Sequence, residues 1–339
     1  MEQEPYNINH SDTISDTTTA ANTAECRISR QTILLMLPLI LILGVIPLIV
    51  RMHFGYLTAE VRPFWKEDYA TDFFAYYKAW ALIFTTIYML GILLYCKLKK
   101  VHNPLRKETA LYPYVIAALI FLGTALLSTL FARYLDVAIF GAPERQEGMG
   151  MILIYIIILL YALWAYSHHP DIRFVLLPLG VVIVINGILG AFQFFGNDLF
   201  ATAFGQTFIV PAAYRAQGTL ELLFERGKIY GTMYHYNFMG SFGAMMVPLF
   251  LVLTLFLKER RQKLFCGLMT IIALFLLLGS TSRAGIVGLA LAAVCFVVFF
   301  FRKIREHAKT AAICTAALLV FVLGVNIITG GLALLIGGI

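Results

Sequence analysis

Beyond residue 30 the chain alternates between long apolar runs and short polar gaps. The runs cover 33–50, 80–98, 111–131, 149–166, 174–195, 238–257, 264–278, 284–301 and 310–327. Unbroken apolar stretches of roughly 18 residues or more read as transmembrane helices, and the period-two alternation of barrel strands is absent. The pattern predicts an all-α fold, a polytopic transmembrane helix bundle of about nine spans, over residues 31–339. Residues 1–30 are polar and lack the basic start and apolar core of a cleaved signal. They are expected to form a disordered cytoplasmic tail.

Composition agrees with the pattern. Of 339 residues, 60% are hydrophobic and 13% charged, with a mean hydropathy of +0.82. The formal charge of +7 is explained by where the cations fall. Lys97, Lys99, Lys100, Arg106 and Lys107 crowd one short gap, and Lys258, Arg260, Arg261 and Lys263 another. Arg302, Lys303, Arg305 and Lys309 fill a third, and Arg27 and Arg30 lie on the same side. Basic short loops mark the cytoplasmic face, so the N-terminus is expected inside, in a multi-pass protein of the plasma membrane. No nucleic-acid partner is implied. The other face carries longer segments near 51–78, 132–148 and 196–237, richer in aromatics and mixed charge. Five cysteines are present, none in those segments, so no disulfide framework is expected.

Candidate chemistry gathers on that outer face. In LLLGSTSRAGIVG, Arg283 stands between two apolar runs that leave almost no loop between them. Ser280, Thr281 and Ser282 precede the next helix as candidate caps, and that helix turns its positive dipole end outward. Hydroxyls, free N–H groups and a guanidinium together suit an anion such as a phosphate. The competing reading is an arginine that anchors the span at the lipid interface. Gly285 and Gly288 would allow a close helix approach. A second cluster lies in ERGKIYGTMYHYNFMGSF, residues 225–242. Tyr230, Tyr234 and Tyr236 offer stacking faces with polar tips, fit for sugar rings or for an interfacial aromatic belt. Asn237 is placed to cap the following helix, and Arg215, Arg226 and Lys228 add positive charge.

YGTMYHYNFMGSF followed by MMVPL resembles the GT-x-x-N/H-x-N-(x)₂-G-S motif of the O-antigen ligase and polysaccharide polymerase superfamily. GSTSRAGIVGL resembles that superfamily's second, Ser-Arg-containing signature. IFGAPERQEG, residues 139–148, is a weaker third echo. The resemblance covers about residues 111–301. It implies a metal-independent membrane glycosyltransferase with no cofactor, acting at the outer leaflet in cell-surface polysaccharide assembly. Its donor would be a glycan on a polyprenyl diphosphate, its acceptor a hydroxyl of a glycan or glycolipid, and membrane lipids its surroundings. Arg283 matches a family arginine that holds the diphosphate, with Ser282 beside it. The other family arginine is replaced by Lys228, a point charge without the guanidinium fork, with Arg226 two residues before it. Arg145 falls in the third echo and joins the tyrosines and Asn237 as a candidate glycan contact. The family's histidine base belongs to an outer loop beyond the ninth span, so the chain is expected to be truncated before it. Within the chain His235 is the nearest candidate base, and His53 is the other outward histidine. Two other readings stand beside the transferase: a transporter or flippase of lipid-linked oligosaccharide, and a non-catalytic truncated homologue. Asn186 and Gln193, among the few polar residues in mid-span, weigh little toward transport.

Overall fold

The computed structural model describes residues 30–65, 68–99, 111–215 and 227–306. The N-terminal tail, the run at 310–327 and Arg226 lie outside the described residues. Helix α1 (Arg30–Gly44) leads through a 3₁₀ turn to a hairpin of β1 (His53–Tyr56) and β2 (Tyr69–Asp72). Then come α2 (Tyr76–Leu98), α3 (Tyr112–Leu130), short α4 (Leu135–Phe140), α5 (Met149–His168) and α6 (Arg173–Phe194). Two short helices follow, α7 (Ala203–Ile209) and α8 (Ala212–Arg215). The last described elements are α9 (Tyr236–Phe256), α10 (Arg260–Gly279) and α11 (Arg283–Glu306). Seven of these helices are long and apolar enough to cross a membrane, and α11 adds a shorter apolar stretch, Arg283–Phe296. The all-helical expectation holds for the bundle. The departure is the antiparallel hairpin, which pairs His53 with Asp72.

Two packed cores organise the helices. Ile183 of α6, Val247 and Phe250 of α9, and Met269, Ala273 and Leu277 of α10 form one. Met36 of α1, Met89 of α2, and Tyr161 and Trp164 of α5 form the other. The buried phenol of Tyr161 donates to the Leu35 carbonyl at 2.7 Å, giving this polar tip a partner where water is scarce. The bundle's outer surface stays apolar: α3 exposes Ile116, Leu119, Ile120, Phe121 and Leu127, as a lipid-facing helix should.

Because successive long helices run up and down, the described parts of the segments near 51–78, 132–148 and 196–237 collect at one end. There Met52 N–H donates to the Ile209 carbonyl at 2.7 Å and Arg51 N–H to that of Phe73 at 2.8 Å. Asp136 N–H reaches the Glu60 carboxylate at 3.1 Å. Helices α9 and α11 meet through glycine: a Cβ at Gly240 would stand 2.3 Å from that of Ser282, and one at Gly285 would stand 2.8 Å from the Gly240 carbonyl oxygen. Gly288 contributes an ordinary contact, 3.7 Å from Ala244.

Candidate functional site

The YGT element enters the bundle as a buried loop, and its backbone groups find partners on neighbouring helices. Asn186 and Gln193 lie two turns apart on one face of α6. Gln193 Oε1 accepts from Tyr230 N–H at 3.1 Å and Gly231 N–H at 2.9 Å. Asn186 Oδ1 accepts from Thr232 N–H at 2.8 Å and from the Thr232 hydroxyl at 3.1 Å. Its own amide donates to the Val182 carbonyl at 3.0 Å. Lys78 Nζ, from the first turn of α2, donates to the Thr232 carbonyl at 2.6 Å. Irregular backbone at this depth survives because these side chains replace water. Glycine is required at 231: φ is +53°, and a Cβ there would lie 2.2 Å from Asn186 Oδ1. Sequence reasoning missed these residues as site components. Asn186 and Gln193 showed only as scattered polar positions, and Lys78 stands at the end of the outer segment near 51–78 without a motif to mark it.

The three tyrosines have three fates. Tyr230 is buried and its hydroxyl donates to Asp198. Burial, reinforced by that carboxylate, pushes its phenol far above the usual range. It is a strut inside the fold, which corrects the expectation of an open stacking face. Tyr234 adopts φ +68°, and its hydroxyl donates to Glu144 Oε2 at 3.3 Å. Burial first, then the Glu144 charge, raises its phenol as well. The Tyr236 ring carries Lys228 Nζ at 4.5 Å from its centroid, a cation–π contact.

Helix α9 starts two residues earlier than expected, so its cap is His235 instead of Asn237. His235 Nδ1 accepts from Asn237 N–H at 3.1 Å. In the neutral ring an accepting Nδ1 leaves the proton on Nε2. That imidazole therefore has no free lone pair to take a substrate proton, and the arrangement opposes His235 as a base.

The third stretch folds as a tight cap. Ser282 is fully buried and its Oγ accepts from Gly285 N–H at 3.2 Å, the N-cap that its position suggested. Its own N–H donates to Ser280 Oγ at 3.3 Å. Sealed against Gly240, Ser282 is closed to a phosphate, which corrects that assignment. Arg283, the first residue of α11, is exposed.

A cavity of about 690 Å³ opens between α1, α2 and α5. Its mouth carries Lys78, Tyr234 and four consecutive residues of the third echo, Glu144, Arg145, Gln146 and Glu147. Its depth is lined by Ile42, Leu82, Ile158, Leu159 and Ala162. From Met151 to Ala162 the lining descends about 16 Å along α5 at ~1.5 Å per residue, close to the ~15 Å of one leaflet's hydrocarbon. Phe238 also lines it, whereas Tyr236 and Gly240 lie on the opposite side of α9, toward α11. The structure thus joins Arg145 and Tyr234 at the cavity and sets Lys228 and Tyr236 on the far side of α9's first turn, the side α11 and Arg283 occupy.

Backbone strain marks the same three stretches. Among the described residues, the non-glycine positions with positive φ are Gln146 (56°), Tyr234 (68°) and Thr281 (54°), one in each. Such conformations cost on the order of 1–3 kcal/mol and concentrate where a site must be held in shape. Comparison with known protein families, curated proteins and solved structures finds no match for this chain.

Proposed function

We propose that this protein is a multi-pass transferase of the plasma membrane that moves glycan from a polyprenyl-diphosphate carrier to an acceptor hydroxyl at the outer leaflet, as an O-antigen ligase or polysaccharide polymerase does. The cytoplasmic side is set by the basic loops, with the N-terminus inside and the loop-rich end outside. The observation that carries the reading is the placement of strain: the three stretches named from resemblance each hold one left-handed non-glycine residue. Two of these, Gln146 and Tyr234, face one cavity. That cavity suits the carrier, since its apolar depth matches an isoprenoid tail and its mouth offers Lys78 and Arg145 to phosphate. Arg283 and Lys228, beyond the first turn of α9, are the cations that the resemblance assigns to the diphosphate. Stabilising a departing diphosphate needs such charge. Asn186 and Gln193 are spent on the YGT loop, which takes these two amides away from a transport route.

The test uses lipid-linked glycan extracted from a strain in which the gene is deleted. Full-length protein in liposomes should release free polyprenyl diphosphate from it when an acceptor extract is added. Translocation of the intact donor across the bilayer without such release would replace the transferase by a flippase.

A further inference from the structure

The cavity mouth contains a group able to accept a proton, fixed in position by a strained partner. Four kinds of titratable side chain line the cavity: Lys78, Arg145, the tyrosines Tyr155 and Tyr234, and the carboxylates Glu144 and Glu147. Arg145 stays charged and accepts nothing. Lys78 acts as a donor, bonded to the Thr232 carbonyl at 2.6 Å. Tyr234 is also a donor, and burial and the neighbouring carboxylate keep its phenol protonated. The carboxylates remain. Glu144 is set apart because Tyr234 binds its Oε2 at 3.3 Å and leaves Oε1 for another hydrogen bond. Tyr234 and Gln146, the latter two residues beyond Glu144, both hold left-handed conformations where the two segments meet. Strain of this kind persists where the surrounding fold over-determines a geometry.

Resting on the transferase reading above, we propose that Glu144 is the general base for the acceptor hydroxyl, with Tyr234 as its positioning residue. In the step, the acceptor O–H bond breaks and its proton passes to the Glu144 carboxylate. The acceptor oxygen forms a bond to the anomeric carbon as the bond from that carbon to the phosphate oxygen breaks. The bonding pair leaves on the diphosphate, next to Lys78 and Arg145. Glu144 then returns its proton to water. A single displacement of this kind inverts the anomeric configuration.

The experiment compares wild type, Glu144→Gln, Glu144→Asp and Tyr234→Phe, all full length and in liposomes, with the extracted lipid-linked glycan as donor. Glu144→Gln should lower kcat by about 10²–10⁴-fold while donor KM stays within about twofold. Glu144→Asp should recover part of the rate, and Tyr234→Phe should lose less than Glu144→Gln. The rate of the wild type should fall at acid pH, and that limb should vanish in Glu144→Gln. Lys78 from α2, Arg145 and Glu147 from the same loop, Tyr155 from α5, Tyr234, and Asp72 behind it are the groups that also face this site. They are common to both proteins, so the difference belongs to Glu144. Wild-type turnover by Glu144→Gln, or a product with retained configuration, overturns the base while leaving the transferase standing. No release by the wild type overturns both.

Discussion

Asn186 Oδ1, in the middle of a membrane helix, accepts the backbone N–H of Thr232 at 2.8 Å and its hydroxyl at 3.1 Å. One amide oxygen thereby holds a loop whose chain neighbours lie 46 positions away. Asn186 is completely buried, so replacing it leaves two donors without a partner or water. Asn186→Leu keeps the branched heavy-atom shape and removes the acceptor. We expect a loss of about 2–6 kcal/mol, at ~1–3 kcal/mol for each of the two orphaned donors, together with loss of transfer. Thermal unfolding in nanodiscs measures it, and an unchanged midpoint would show that the loop is held by other contacts.

The glycines give a sharper contrast. Gly231 and Gly196 both have positive φ, +53° and +79°. Around Gly196 there is open space, whereas a Cβ on Gly231 meets Asn186 Oδ1 at 2.2 Å and Met239 Cε at 2.5 Å. Gly196 closes α6: Asn197 N–H bonds to the Phe192 carbonyl at 2.9 Å and its own N–H to that of Gln193 at 3.0 Å. Gly196→Ala should cost about 1 kcal/mol from backbone conformation alone. Gly231→Ala must also displace the amide clamp, and should lower both stability and transfer well beyond that. Equal effects in the two variants would contradict the crowded loop.

The helices were legible because their signal is local. Each described apolar run coincides with a helix to within a few residues, α5 at Met149–His168 against a predicted 149–166. At two of the edges that differ, a cap explains the shift. Helix α2 starts at Tyr76, ahead of the apolar run at 80, because Asp72 accepts from Ala75 N–H at 2.9 Å and Tyr76 N–H at 2.6 Å. The same kind of detail moved the cap of α9 from Asn237 to His235. Partners for the YGT loop were not legible: Gln193 meets Tyr230 across 37 positions and Lys78 meets Thr232 across 154. No periodicity encodes such pairings. Nor does spacing tell that Tyr230 points inward and Tyr234 toward a cavity, since two tyrosines of equal polarity differ only in what the fold packs around them.

The hairpin beside the site should respond to pH. His53 stacks on Tyr76 with ring centroids 3.4 Å apart. Burial holds its imidazole below the usual histidine range, with the Asp72 charge opposing more weakly. A base whose folded pKa is depressed binds its proton more readily when unfolded. Its contribution is complete above the ordinary histidine range and is lost as pH falls through the depressed folded value. Local opening of residues 53–72, read by hydrogen exchange, should increase between about pH 8 and about pH 5. His53→Phe keeps the stack and should flatten that dependence. An equal slope in His53→Phe would assign the effect to another group.

Two cations on different sides of α9 should fail in different ways. Lys78 lines the cavity and holds the Thr232 carbonyl at 2.6 Å, so Lys78→Met removes the proposed phosphate contact and a loop contact together. It should raise the donor KM about tenfold or more, and destabilise by roughly 1–3 kcal/mol through the orphaned carbonyl. Arg283 is exposed, so Arg283→Ala should leave stability within about 0.5 kcal/mol and the protein inserted and abundant. If its charge meets the diphosphate as the glycosyl bond breaks, the loss falls on kcat and not on KM. Arg283→Lys should recover little if bidentate geometry is what matters. On the proposed mechanism, in which these side chains supply the charge stabilisation, a chelator should leave the rate of the wild type unchanged. Full transfer by Arg283→Ala would reduce that residue to an interfacial anchor, and the diphosphate would then belong to Lys78 and Arg145 alone.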